Sequence, residues 1–182
     1  QRGGRPVSAG LVSNFRGHVL DPTHPDVQRH VEDLIHLVVD GWGYRYLKLD
    51  FLYAGALPGR HHNPQMTRAQ GLRRLMALVR EAAGPDVFLL GCGGPVGPLI
   101  GLVDGMRIGT DTAPEWAPGF WGFDLLLKKN QALPSLRNSL KNAASRAWMH
   151  NRWWVNDPDT LIMRDDETEL TEGEVRTQVT LL

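Results

Sequence analysis

The residues of this chain that could do chemistry are carboxylates placed at the ends of short apolar runs. In Tyr46-Leu47-Lys48-Leu49-Asp50 polar and apolar residues alternate. Side chains alternate across a strand, so Lys48 and Asp50 point one way while Leu47 and Leu49 point the other. The apolar side would pack on helices. The other side would hold a lysine and a carboxylate close together in a largely buried setting, which is costly unless they pair or perform chemistry. A cation so placed favours the carboxylate anion that a nucleophile requires. A second carboxylate, Asp111, closes the run Asp104-Gly105-Met106-Arg107-Ile108-Gly109-Thr110-Asp111, two β/α units further along. Two carboxyl groups converging to roughly 5–5.5 Å suit the retaining cleavage of a glycosidic bond, one as nucleophile and the other as general acid and then base.

The elements that must position these groups alternate in type. Five short apolar runs read as strands: His18-Val19-Leu20, Tyr44 to Phe51, Val87 to Cys92, Met106-Arg107-Ile108, and Trp153-Trp154-Val155. Amphipathic stretches separate them. The first helix carries Val27, Val31, Leu34, Ile35, Val38 and Val39 on one face, with Pro25 in its first turn and Gly41 after its end. In the second, Thr67 and Gln70 form a capping box, Leu72, Leu75, Met76 and Val79 make the buried stripe, and Gly84-Pro85 stops the helix. A third runs from Pro134 to Trp148 with Leu136, Leu140, Ala143, Ala144 and Ala147 inward, and a fourth opens at Thr171 with Glu174 three residues on. The segment 112–133, rich in aromatics including Phe120, Trp121 and Phe123, predicts a packed loop with a short helix.

Such alternation is the sequence form of an α/β fold with a parallel sheet, in which ligands bind at the carboxyl ends of the strands. Asp21, Asp50, Cys92, Asp111 and Asp157 all lie there. The competing reading for any one aspartate is local: strand exits and helix caps favour Asp because its carboxylate accepts backbone N–H groups.

Composition narrows the partners. With 20 Lys+Arg against 20 Asp+Glu, the chain lacks the basic footprint of a nucleic-acid partner. No apolar run approaches the roughly 18 residues that span a bilayer, so no membrane partner is expected. The single cysteine, Cys92, cannot form an intrachain disulfide, and with no secretory leader in view a cytoplasmic location is favoured. No cofactor is expected. His61-His62 lack a second ligand at i+4, so no metal is expected there, and the pair reads as a solvated loop. Gly91-Cys92-Gly93-Gly94-Pro95 follows a strand, but its glycine spacing and Pro95 do not fit a dinucleotide site.

Four motifs together, Lys48-Leu49-Asp50-Phe51, Gly91-Cys92-Gly93-Gly94-Pro95, Asp104 to Asp111, and Trp154-Val155-Asn156-Asp157-Pro158-Asp159, resemble the melibiase group of α-galactosidases, retaining glycoside hydrolases with a (β/α)8 catalytic barrel. The resemblance runs from about Leu20 to Arg164. It implies hydrolysis of terminal α-D-galactosyl residues of the melibiose or raffinose type by double displacement, with Asp50 as nucleophile and Asp111 as acid/base. It further implies that Lys48, Cys92 and Arg107 line the sugar site, that Trp154 and Asp157 stand near it, and that Arg16 matches a substrate-contacting arginine of some relatives. Asp157 and Asp159 sit in a motif whose main role is to orient the barrel mouth. The parent enzyme is compatible with a homo-oligomer.

A full barrel needs about 250 residues. The 182 residues therefore read as the central part of a partial (β/α)8 TIM barrel, about five of eight strands, truncated at both ends and expected to be inactive alone. Two other readings stay open: a magnesium-dependent barrel lyase, in which carboxylates hold the metal and a lysine is the base, and a noncatalytic barrel fragment. Trp148, Trp153 and Trp154 could stack on a sugar or simply be buried.

Overall fold

A computed structural model describes residues 3–9, 17–119, 128–164 and 166–181. Arg16 and the aromatic residues 120–123 lie outside the described residues. The chain forms two compact units, 1–105 and 106–182. The described elements are α1 (Pro25–His36), β1 (Tyr46–Leu49), α2 (Arg68–Ala83), β2 (Phe88–Gly91), α3 (Val96–Leu99), β3 (Gly105–Arg107), α4 (Leu136–Arg146), β4 (Val155–Asp157) and α5 (Glu172–Leu181). The strand order in the sheet is β1-β2-β3-β4, the sequential order that successive β/α units lay down. β1 and β2 pair in parallel, with Lys48 opposite Leu90 and Leu49 opposite Gly91.

Four of the five expected strands are present. His18 instead forms an isolated antiparallel bridge with Ser8, and Val19 N–H donates to the Val7 carbonyl at 2.9 Å. The run is three residues long, and local pairing with 7–9 satisfies its backbone groups without a sheet neighbour.

In the first unit the core is built by α2. Thr67 caps it and exchanges hydrogen bonds with Gln70, completing the capping box, and Gly84 (φ 75°) ends it. Its stripe of Leu72, Met76, Val79 and Ala83 is buried, as are Val87, Leu89 and Leu90 of the β2 region; each large apolar side chain so buried contributes roughly 1.5–3 kcal/mol. Arg80 ties the end of α2 to the strands, donating to the carbonyls of Val87 at 2.8 Å and Leu102 at 3.1 Å and pairing with Asp104. Asp104 in turn accepts Leu89 N–H at 2.8 Å. α1 begins at Pro25 and continues into a π-helical turn, Leu37–Gly41. α3, which the sequence pattern did not suggest, is a single turn after Pro95.

In the second unit Met106, Ile108, Leu136, Leu140, Ala143, Met149 and Trp154 are buried. α4 opens at Ser135, whose hydroxyl accepts Asn138 N–H. Ala144 and Ala147 of the expected inner face are exposed. Their places are taken by Asn138 and Ser139, almost fully buried because Asn138 Nδ2 finds the carbonyls of Asn130 and Leu133 and Ser139 Oγ that of Pro158. A periodicity built on apolar residues misses buried polar groups that are fully paired. The described parts of 112–133 are bends and turns. Gln178 of α5 is likewise buried and clasps residues 160–162, donating to Thr160 O at 3.0 Å and accepting Ile162 N–H at 3.1 Å.

Candidate active site

Asp50 directly follows β1 in the first unit. The strand alternates as its sequence requires: Tyr46, Lys48 and Asp50 are exposed, and Leu47 and Leu49 are half-buried. The expected burial of Lys48 and Asp50 is not met, and among the described residues no ion pair joins them. Both charges stay hydrated on this exposed face, which is cheaper than desolvating two unlike charges.

The turn after β1 sets the carboxylate. Phe51 takes a left-handed conformation, φ 55°, and its N–H donates to Asp50 Oδ1 at 2.7 Å. The strand end is pinned to the loop after β2: Cys92 N–H donates to Leu49 O at 2.9 Å, Leu52 N–H to Cys92 O at 3.2 Å, and Tyr53 N–H to Gly93 O at 2.8 Å. That crossing explains the glycine pair. A Cβ on Gly93 (φ 60°) would sit 3.3 Å from Phe51 N and 3.4 Å from Asp50 Oδ1, and one on Gly94 would be 2.9 Å from Leu52 Cβ. Cys92 itself is buried.

Asp111 belongs to the second unit. Its side chain is 74% exposed, whereas its partner Arg107 is 7% exposed. Arg107 reaches three carboxylates: Nη1 to Asp111 Oδ1 at 2.9 Å, Nε to Asp157 Oδ2 at 3.1 Å, and Nη2 to Asp159 Oδ1 at 2.7 Å. An arginine suits this place because its planar fork offers several fixed donors. The strand-to-loop geometry supports the cluster, with Ile108 N–H donating to Asp157 O at 3.0 Å. Gly109 is small because a Cβ there would meet Asn142 Cβ of α4 at 3.0 Å.

Trp154, read from the resemblance as close to the sugar, is 4% exposed and packs edge-on against Trp153. Its indole N–H donates to Asn156 Oδ1 at 3.1 Å, and Asn156 Nδ2 donates to Arg146 O. Trp154 thus braces the residue before Asp157. Of this group Trp148 meets solvent most, at 49% exposed, and Trp153 is half-buried.

Sequence reasoning missed the pairing of Asp21 with His61. Asp21 accepts Thr23 N–H and hydroxyl, His62 N–H at 2.6 Å, and His61 Nδ1 at 3.2 Å. Burial pushes its carboxyl up, but these hydrogen bonds outweigh that, and its pKa is lowered to about 2. The local role, an aspartate that accepts nearby N–H and O–H groups, therefore holds for Asp21. His61, by contrast, is 15% exposed and not in a solvated loop. Among the described residues no three His, Cys, Asp or Glu side chains are grouped to hold a metal, and no helix is long and apolar enough to cross a membrane.

No family model matches the chain. Among solved structures, the α-galactosidase of Thermus thermophilus in complex with stachyose is 38% identical over 100% of this chain, with a TM-score of 0.80. The chain is α-galactosidase-like along its whole length. The same Thermus enzyme in complex with p-nitrophenyl α-D-galactopyranoside matches 98% of the chain at 38% identity and the same TM-score. α-Galactosidase I of Mortierella vinacea shares the fold, with a TM-score of 0.58 at 19% identity over 95% of the chain. The α-galactosidase-like chain spans only 38% and 35% of the two Thermus chains and 42% of the Mortierella chain.

Proposed function

We propose that this chain is the part of an α-galactosidase catalytic barrel that carries both catalytic carboxylates, and that the parent enzyme hydrolyses terminal α-D-galactosyl groups with retention. The observation that carries the reading is the 38% identity to the Thermus α-galactosidase across all 182 residues, together with the placement of Asp50 and Asp111 at the ends of strand runs. The stachyose and p-nitrophenyl galactoside bound by that neighbour support an α-galactoside as substrate.

In this reading the Asp50 carboxylate attacks the anomeric carbon while Asp111 gives its proton to the departing glycosidic oxygen. A galactosyl ester forms on Asp50. Water then attacks the same carbon as Asp111 takes its proton, so two inversions yield net retention. The Phe51 amide, 2.7 Å from Asp50 Oδ1, leaves Oδ2 as the attacking atom. Lys48 lies two residues before Asp50 on the same exposed face, suited to hold sugar hydroxyls. Arg107, Asp157, Cys92 and Arg16 complete the proposed sugar-lining set, and Trp154 supports it from behind.

The test is chemical rescue in the parent enzyme. Asp50→Gly should abolish hydrolysis, and azide should restore part of it by forming a β-galactosyl azide, the inverted product. An intact fold with no rescue by azide would remove Asp50 from the nucleophile role.

A further inference from the structure

Asp159 holds two things at once. Its Oδ1 lies 2.7 Å from Arg107 Nη2, and its Oδ2 accepts the N–H of Thr112, the residue after Asp111, at 2.8 Å. The side chain is 13% exposed, so both contacts are shielded from water and charge-assisted. The backbone of Asp159 is set to φ 78°, a conformation that costs a non-glycine residue on the order of 1 kcal/mol. It is held there by its own N–H, which donates to Asp157 Oδ1 at 2.9 Å. Asp157 uses its other oxygen on Arg107 Nε.

Asp111 needs such support. Its side chain is largely exposed, and an exposed carboxylate explores several rotamers unless something fixes it. Its described ion pair is with Arg107, and its main chain continues directly into Thr112. Asp159 therefore grips the partner of the Asp111 side chain and the backbone that carries it.

We propose that Asp159 is a positioning residue for Asp111, fixing the direction from which the acid delivers its proton. The inference rests on Asp111 being the acid/base. Losing a positioned general acid harms substrates whose leaving group needs a proton far more than those whose leaving group departs unaided.

The experiment compares kcat/KM of the parent enzyme on melibiose, a poor leaving group, and on p-nitrophenyl α-galactoside, an activated one; kcat/KM reports the first displacement for both. Asp159→Asn keeps an acceptor for Thr112 and tolerates φ 78°, but it removes the charge that holds Arg107. It should lower kcat/KM about 100-fold on melibiose and less than about tenfold on the aryl galactoside, within the range that a general acid supplies. Asp159→Gly accepts the same φ without strain and loses both contacts, so it should show the same split or a larger one and decides the matter if the Asn variant does not fold. Asp111→Ala run alongside separates the two ideas. If Asp111→Ala splits the substrates and the Asp159 variants lower both equally, or neither, the positioning role is wrong. If Asp111→Ala itself shows no split, the acid/base reading fails and this inference falls with it.

Discussion

Gly93 and Asp50 are in near contact: a Cβ added to Gly93 would lie 3.4 Å from Asp50 Oδ1 and 3.3 Å from Phe51 N, on a backbone with φ 60°. Gly93→Ala therefore combines left-handed strain, about 1–2 kcal/mol for an L-residue, with pressure on the turn that aims the carboxylate. Gly101→Ala is the control, since Gly101 has φ 77° but nothing within 4 Å of its added Cβ. Both should lower the melting temperature to a similar degree. Only Gly93→Ala should also lower kcat of the parent enzyme, by about tenfold or more, since small misplacements of reacting groups are costly. Equal activities in the two variants would disconnect the glycine from the site.

Arg107→Lys tests the three-carboxylate cluster. A lysine keeps the charge but not the fork, so it cannot face Asp111, Asp157 and Asp159 together. The lysine could not keep all three pairings, and each charge-assisted hydrogen bond lost costs roughly 1.5–3 kcal/mol. Urea unfolding should show a loss of about 3 kcal/mol, and kcat/KM on melibiose should fall about 100-fold. A variant as stable as the wild type would mean that the cluster contributes little.

Asp21 gives the fold an acid-sensitive contact. Its carboxyl is lowered from 3.8 to about 2 by the hydrogen bonds of Thr23, His62 and His61. A depressed folded-state value means that the contribution is present in full above the unfolded value and is lost as pH falls through the window from 3.8 toward 2. At about 1.4 kcal/mol per unit, and allowing for partial exposure, it contributes about 1–2 kcal/mol. Asp21→Asn should cost that much at pH 6 by urea unfolding and progressively less between pH 4 and pH 2. A cost independent of pH over that range would show that shape, not charge, is what the site uses.

The elements were legible because their signals are local. The Thr67/Gln70 box, the Leu72-Met76-Val79 stripe and Gly84 specify α2 within one stretch of chain, and the alternation around Lys48 specifies which side chains of β1 share a face. The Gly91 to Pro95 motif was visible, but its cause was not: Gly93 and Gly94 are small because the turn after β1 crosses them, a contact some 40 residues distant in sequence. Arg107 and Asp157 were named from the resemblance. Their joint pairing with Asp159 depends on strands 50 residues apart, which no spacing rule encodes. The bond between His61 and Asp21 was hidden for the same reason, because a histidine pair in a polar loop looks solvated until the distant aspartate it meets is known.

The 182-residue chain by itself should turn over melibiose at a rate no greater than about one thousandth of the parent enzyme's. A (β/α)8 barrel takes about 250 residues to close, and the chain spans 38% of the Thermus enzyme it resembles. The face of β1 that carries Lys48 and Asp50 is exposed in the described structure. Charge stabilisation of a glycosidic transition state needs a site from which water is excluded, because fixed dipoles and charges act weakly across solvent. Asp50 on an open face therefore lacks the environment that the role proposed for it requires, even with the Phe51 amide and Gly93 in place. The purified chain should still fold, with a cooperative urea transition, while releasing no galactose above the background of its Asp50→Gly variant. Robust turnover that the Asp50→Gly substitution removes would show that four strands suffice to build a working site.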